Sequence, residues 1–110
     1  MIKTAVQNVV EITTFKLAAG VNTDRYITLS KTINDFVESS PGFIFRRVSS
    51  GDDGYWTDTV IWADMDAANT AFEAFPKQDF AKDIMAAIDD ETLKMRHETI
   101  HFTQVPSADQ

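Results

Sequence analysis

Residues 43–63 read FIFRRVSS, then GDDG, then YWTDTVIWA: two β-rich runs joined by four residues of turn chemistry. Such runs pair antiparallel through their own loop, so the spacing predicts a β-hairpin with strands at 43–50 and 55–63. Everything else must arrange itself around that hairpin. Upstream, NTDRYITLSKTINDFVESS places Tyr26, Leu29, Ile33, Phe36 and Val37 at the 3.6-residue period of an amphipathic helix. Asn22 or Thr23 caps it, Asp24 sits in its first turn, and SSPG closes it because Pro41 forbids continuation. Further upstream, VVEITTFKL (9–17) alternates as a strand, with Val10, Ile12 and Thr14 on one face and Glu11, Thr13 and Phe15 on the other. Gly20 ends that segment.

After the hairpin, Asp64 or Asp66 caps a second helix carrying Ala68, Ala71, Phe72 and Phe75 at i, i+3, i+4 and i+7. Pro76 interrupts it, and QDFAKDIMAAIDD resumes a helical pattern through Phe80, Ile84, Ala87 and Ile88. The last strand is expected at about 93–104, with 105–110 a loose tail. The order β-α-β-β-α-β is the split βαβ arrangement of a ferredoxin-like sandwich: an α+β fold with a four-stranded antiparallel sheet and its helices on one face. The length of 110 residues fits one domain, 1–110, with its core at about 9–104.

Both connecting helices lie on one face and leave the other bare, yet both faces of the strands carry apolar residues. In the third strand Trp56, Val60 and Trp62 point one way and Tyr55, Ile61 and Ala63 the other. A bare apolar sheet face predicts a homodimer with the sheets face to face.

Composition excludes several function classes. With no cysteine there are no disulfides, thiolate metal sites or thiol nucleophiles. A net charge of −7, with no basic cluster beyond Arg46–Arg47, disfavours nucleic acid and anionic membranes as partners. No apolar run is long enough to cross a bilayer and the first residues do not read as a signal peptide, so a cytoplasmic protein is expected. No phosphate loop or nucleophile elbow occurs, and GDDG lacks the ligand spacing of a calcium loop.

Three stretches together resemble the dimeric α+β barrel superfamily, in particular antibiotic-biosynthesis-monooxygenase-like domains: SSPGF at 39–43, VIWADMDAANTAF at 60–72 and FPKQDFAKDIMAAI at 75–88. The resemblance spans about residues 9–104 and implies a ligand pocket between sheet and helices. It also implies cofactor-independent oxidation of an aromatic or quinol-like molecule, with neither metal nor flavin. Haem-degrading relatives carry a first-strand asparagine, a strand-ending tryptophan and a helical histidine. This chain matches only the tryptophan, as Trp62, with Thr13 in place of the asparagine and no histidine from Ala63 to Arg96. Haem ligation is therefore not expected, and no cofactor is assigned. A non-catalytic ligand-binding or stress-associated protein of the same fold, or simple self-association, is the competing class.

The expected pocket residues are Trp62, Trp56, Tyr26, Thr13 and Phe72, and the candidate proton-handling residues are Asp58 and His97. Trp56, Asp58 and Trp62 share one strand face, so Asp58 either pairs with Arg46 or Arg47 across the hairpin or stands unpaired and poised for proton transfer. Glu11 and His101 are further sources of a base. His97 and His101 share a face of the last strand at a separation of roughly 13 Å, too far to hold one ion between them.

Overall fold

The computed structural model of the chain describes residues 7–107. Its elements are β1 (Val9–Leu17), α1 (Thr23–Lys31), α2 (Asn34–Ser39), β2 (Phe43–Ser50), β3 (Tyr55–Trp62), α3 (Met65–Ala74), a 3₁₀ turn (Phe75–Lys77), α4 (Ala81–Ala86) and β4 (Ile88–Thr99). The four strands form one antiparallel sheet in the order β2-β3-β1-β4. This is the ferredoxin-like α+β arrangement with all helices on one face. Among the described residues, no helix is long and apolar enough to cross a membrane.

Alternation decides which side chains meet the helices. On β1 the odd positions Val9 and Phe15 are buried, and their β3 partners Trp62 and Trp56 are buried with them. Trp62, Tyr26 and Phe15 are the largest fully enclosed side chains. Each such burial contributes about 1.5–3 kcal/mol of transfer free energy. Two aspartate or asparagine caps start the helices: Asn22 Oδ1 accepts from the Arg25 N–H, and Asp64 Oδ1 from the Ala67 N–H, both at 2.8 Å. Gly42 leads from α2 into β2 at φ +84°, where a Cβ would come within 2.6 Å of the Ala67 side chain, so only glycine fits this close approach of loop and helix.

Two boundaries differ from the periodicity of the sequence. The expected first helix breaks at Thr32–Ile33, whose N–H groups reach back only three residues, to Leu29 and Ser30, before Val37 restarts the helical ladder on Ile33. The last strand begins at Ile88 and ends at Thr99, instead of spanning 93–104. Ile88 pairs with Leu17, and Asp89 with Lys16, before a register shift that the Thr92 hydroxyl bridges by accepting from the Lys16 N–H at 2.8 Å. Ile88, in phase with the preceding helix, is therefore the first residue of β4. His101 lies past the end of β4, so it does not share a strand face with His97.

The face away from the helices carries Val10 and Ile12 from β1, Ile61 from β3 and Phe45 from β2, the first three only partly buried and Phe45 40 % exposed. Thr14, Thr57 and Thr59 continue it, and Arg47 and Arg96 flank it on the outer strands.

Candidate functional site

Between sheet and helices lies a cavity of about 600 Å³. It persists because small residues, Ala71 and Ala81, face it from α3 and α4. Phe36, Phe75 and Phe80 meet edge to face beside it, at centroid distances of 6.3, 5.7 and 5.4 Å, and prop the broken helices apart. Interior walls come from Phe15, Tyr26, Val60, Trp62 and Ile84. The rim is apolar as well: Phe72, Met85 and Met95 line it and are 58, 43 and 43 % exposed. Four polar or charged positions interrupt this lining from the sheet side, namely Glu11, Thr13, Arg46 and Asp58, and Lys82 stands exposed on the α4 side.

Asp58 and Arg46 form a closed unit. Arg46 Nε and Nη2 donate to the two carboxylate oxygens of Asp58 at 3.1 and 2.8 Å. Nη1 donates to the Ser30 carbonyl and to Asn34 Oδ1 at 3.1 and 3.0 Å, and Nη2 also donates to Ser30 Oγ at 2.8 Å. All five N–H donors of the guanidinium are thus taken. The side chains are 8 and 16 % exposed, a largely buried bidentate pair. Of the two alternatives the sequence left open, Asp58 takes the ion pair with Arg46, and its carboxylate is not a free base. The same arginine fills the gap between α1 and α2, which explains the helix break: the Ser30 carbonyl is shared with a strand residue.

Glu11 sits one β1 pair away from Thr13 and directly opposite His97 on β4. His97 Nε2 lies 2.8 Å from Glu11 Oε2, with side chains 27 and 14 % exposed. Burial pushes the Glu11 carboxyl above its ordinary range, the His97 hydrogen bond and charge pull it partly back, and the charge of Asp58 adds to the rise. His97 is not itself on the cavity wall; it reaches the cavity through Glu11. Tyr26 lines the wall, and its hydroxyl is pushed up to about 12 by burial and by the Asp58 carboxylate, against the opposing effects of Arg46 and Ser30, so it remains a neutral phenol.

Of the five residues read from the sequence as pocket walls, Trp62, Tyr26, Thr13 and Phe72 line the cavity. Trp56 does not. It is 6 % exposed and packs edge-on against Tyr26 at 5.0 Å, so its face is already filled by the core. Trp62 contacts Phe43 edge-on at 6.0 Å, and its buried indole nitrogen has no hydrogen-bond acceptor among the described residues. The wall residues Ile33, Phe36 and Val37 read in the sequence only as the apolar face of a helix, and Met95 carried no signal, because nothing there separates a cavity wall from ordinary core. Glu11 did carry a signal: a carboxylate in phase with the buried Phe15.

No protein-family model matches the chain, and no curated protein matches it. Solved structures do. A variant of SnoaB, a cofactor-independent oxygenase from Streptomyces nogalater, aligns at 17 % identity over 87 % of this chain and 95 % of its own, with a TM-score of 0.73. A monooxygenase from the gene ActVA-Orf6 of Streptomyces coelicolor, in complex with the ligand nanaomycin D, aligns at 16 % identity over 92 and 94 %, with a TM-score of 0.66. Hydroxynitrile lyase from Passiflora edulis aligns at 12 % identity over 91 and 99 %, with a TM-score of 0.70. The chain shares the α+β fold of these structures. At these identities the likeness is one of fold, and the lyase shows that the fold serves more than one chemistry.

Proposed function

We propose that the chain binds a fused-ring aromatic or quinol-like molecule in the sheet–helix cavity and promotes its oxidation by dioxygen without a cofactor. The observation that carries this reading is the cavity itself: about 600 Å³, lined by aromatic and aliphatic side chains, with a carboxylate at its sheet side. Such a space suits a flat apolar ligand bearing one or two ionisable groups. Removing a proton from a hydroquinone makes it electron-rich enough to reduce oxygen; the balanced outcome is quinone and hydrogen peroxide from one hydroquinone and one dioxygen. Where the substrate instead carries an activated methylene, insertion of one oxygen atom gives a ketone and water. The oxygenase descriptions of SnoaB and the ActVA-Orf6 protein support the same reading.

Asp58 serves in this reading as an anchor of Arg46, and Trp62, Tyr26, Thr13 and Phe72 shape the pocket. The working unit is a homodimer closed through the bare sheet face. Oxygen uptake measured against a panel of naphthohydroquinones and benzohydroquinones tests the oxidation. The expected result is saturable uptake above autoxidation, reduced about tenfold or more in kcat/KM when Trp62→Ala removes the main aromatic wall. Uptake equal to buffer for every compound contradicts it. The non-catalytic alternative is favoured by one observation, the complete engagement of Asp58 and Arg46, and it predicts binding of the same compounds without turnover.

A further inference from the structure

We propose that Glu11 is the base of this cavity, taking a proton from a phenolic hydroxyl or from a carbon flanked by an aromatic ring and a carbonyl, with His97 as the residue that positions it. The proposal rests on reading the cavity as a substrate site and adds to that reading the proton acceptor and the kind of proton. Two carboxylates line the cavity, Glu11 and Asp58. Asp58 has both oxygens bound by Arg46. Glu11 uses Oε2 toward His97 and has no hydrogen bond to Oε1 among the described residues. One carboxylate oxygen is therefore held by His97, while the other is unengaged on a residue that lines the cavity.

The charges around it define the ligand. The groups that act on Glu11 are His97 from β4 and Asp58 from β3, while Arg46 from β2, the neutral Tyr26 phenol from α1 and the exposed Lys82 from α4 line the same cavity. Arg46, with every donor occupied, has nothing left for a carboxylate or phosphate. The sheet side of the cavity thus favours an uncharged molecule that presents a proton. Thr13 follows Glu11 on the same face, about 7 Å along the strand, and offers a hydroxyl to an oxygen on which charge develops. In the balanced step Oε1 gains the proton, the C–H pair moves into the ring ketone as an enolate, and the proton then passes from Oε1 to water. His97 donates Nε2–H to Oε2 throughout, as the neutral imidazole or the imidazolium.

The burial that raises the Glu11 pKa also sets a sign for stability. The stabilisation linked to that raised value is complete below the ordinary glutamate range and is lost as pH rises through the folded-state pKa, because the charged carboxylate is the disfavoured form in the folded chain. Glu11→Gln, which keeps the shape and an acceptor for His97, is accordingly expected to unfold at or above the wild-type temperature at neutral pH.

Anaerobic exchange of the benzylic C1 protons of 2-tetralone into D2O, followed by proton NMR, reads the proton step without oxygen. The wild-type chain is expected to accelerate exchange, and Glu11→Gln to lose about a hundredfold or more of that rate, the scale of a general base. The dissociation constant for 2-naphthol should stay within about threefold, the change expected when only a transition-state interaction is lost. Glu11→Asp, which stays acidic but draws back from the wall, should be intermediate and guards against a folding artefact in the amide variant. His97→Gln should move the acid limb of the pH–rate profile upward, because His97 lowers the Glu11 pKa; a mere packing role would leave the limb where it is. No acceleration by wild type, full activity of Glu11→Gln, or an unmoved limb in His97→Gln each overturns the assignment. Exchange without any aerobic oxygen uptake would remove the oxidation reading alone and leave Glu11 as the base.

Discussion

Arg46→Met is expected to lower the free energy of unfolding by about 3–5 kcal/mol, the cost of breaking one side of a buried ion pair. The expectation follows from what the guanidinium leaves behind. Asp58, 16 % exposed as a side chain, loses both of its donors, and the Ser30 hydroxyl and Asn34 amide lose theirs. The loss falls across four elements, since Arg46 is on β2, Asp58 on β3, Ser30 on α1 and Asn34 on α2. A margin of about 5–15 kcal/mol is usual for a domain, so the variant should keep only a fraction of its stability. Arg46→Met combined with Asp58→Leu removes the pair together with its desolvation cost and should recover most of the loss. Urea denaturation followed by circular dichroism gives both numbers. A double variant as unstable as the single one would mean that the helix break, and not the stranded carboxylate, dominates.

The second large effect concerns the bare sheet face. Ile12 lies at its centre, between Thr59 on β3 and Arg96 on β4, with Val10 and Ile61 beside it. If two copies close through this face, each contributes its own position 12, and Ile12→Asp buries two carboxylates at once. At about 2 kcal/mol for each, the dimer dissociation constant should rise roughly a thousandfold. Sedimentation equilibrium at micromolar concentration is expected to give twice the chain mass for wild type and a single chain mass for the variant. Glu73, exposed on α3 on the helix side of the sheet, is a control: Glu73→Gln should leave the dimer intact.

Much of the architecture was written locally. Alternation over VVEITTFKL gave the bounds of β1 and its two faces, GDDG gave the hairpin, each of two helices starts on one of its two candidate caps, Asn22 and Asp64, and Pro76 broke the last helical segment. What failed was set by distant partners. Leu29, Ile33 and Phe36 keep a helical phase straight through Thr32, and only an arginine from β2 reveals why the helix stops there. Ile84, Ala87 and Ile88 likewise stay in helical phase, while the Leu17–Ile88 pairing across the sheet decides that Ile88 is strand. The site divides the same way. Trp56 and Trp62 are indistinguishable in alternation, and the ring of Tyr26 fills the space over one of them. The pairing of Glu11 with His97 joins residues 86 positions apart, which no spacing rule in the sequence encodes.

A titration of the ¹⁵N,¹³C-labelled chain with 2-naphthol puts the cavity itself to the test. Two tryptophans give two indole N–H signals, assigned by Trp56→Phe and Trp62→Phe. Saturable shifts are expected for the Trp62 indole and for the side chains of Ile33, Ile84 and Met95, with the Trp56 indole and the open-face residues Val10 and Ile12 unmoved. Shifts confined to the open face, or none at all up to the solubility of the probe, would contradict the account.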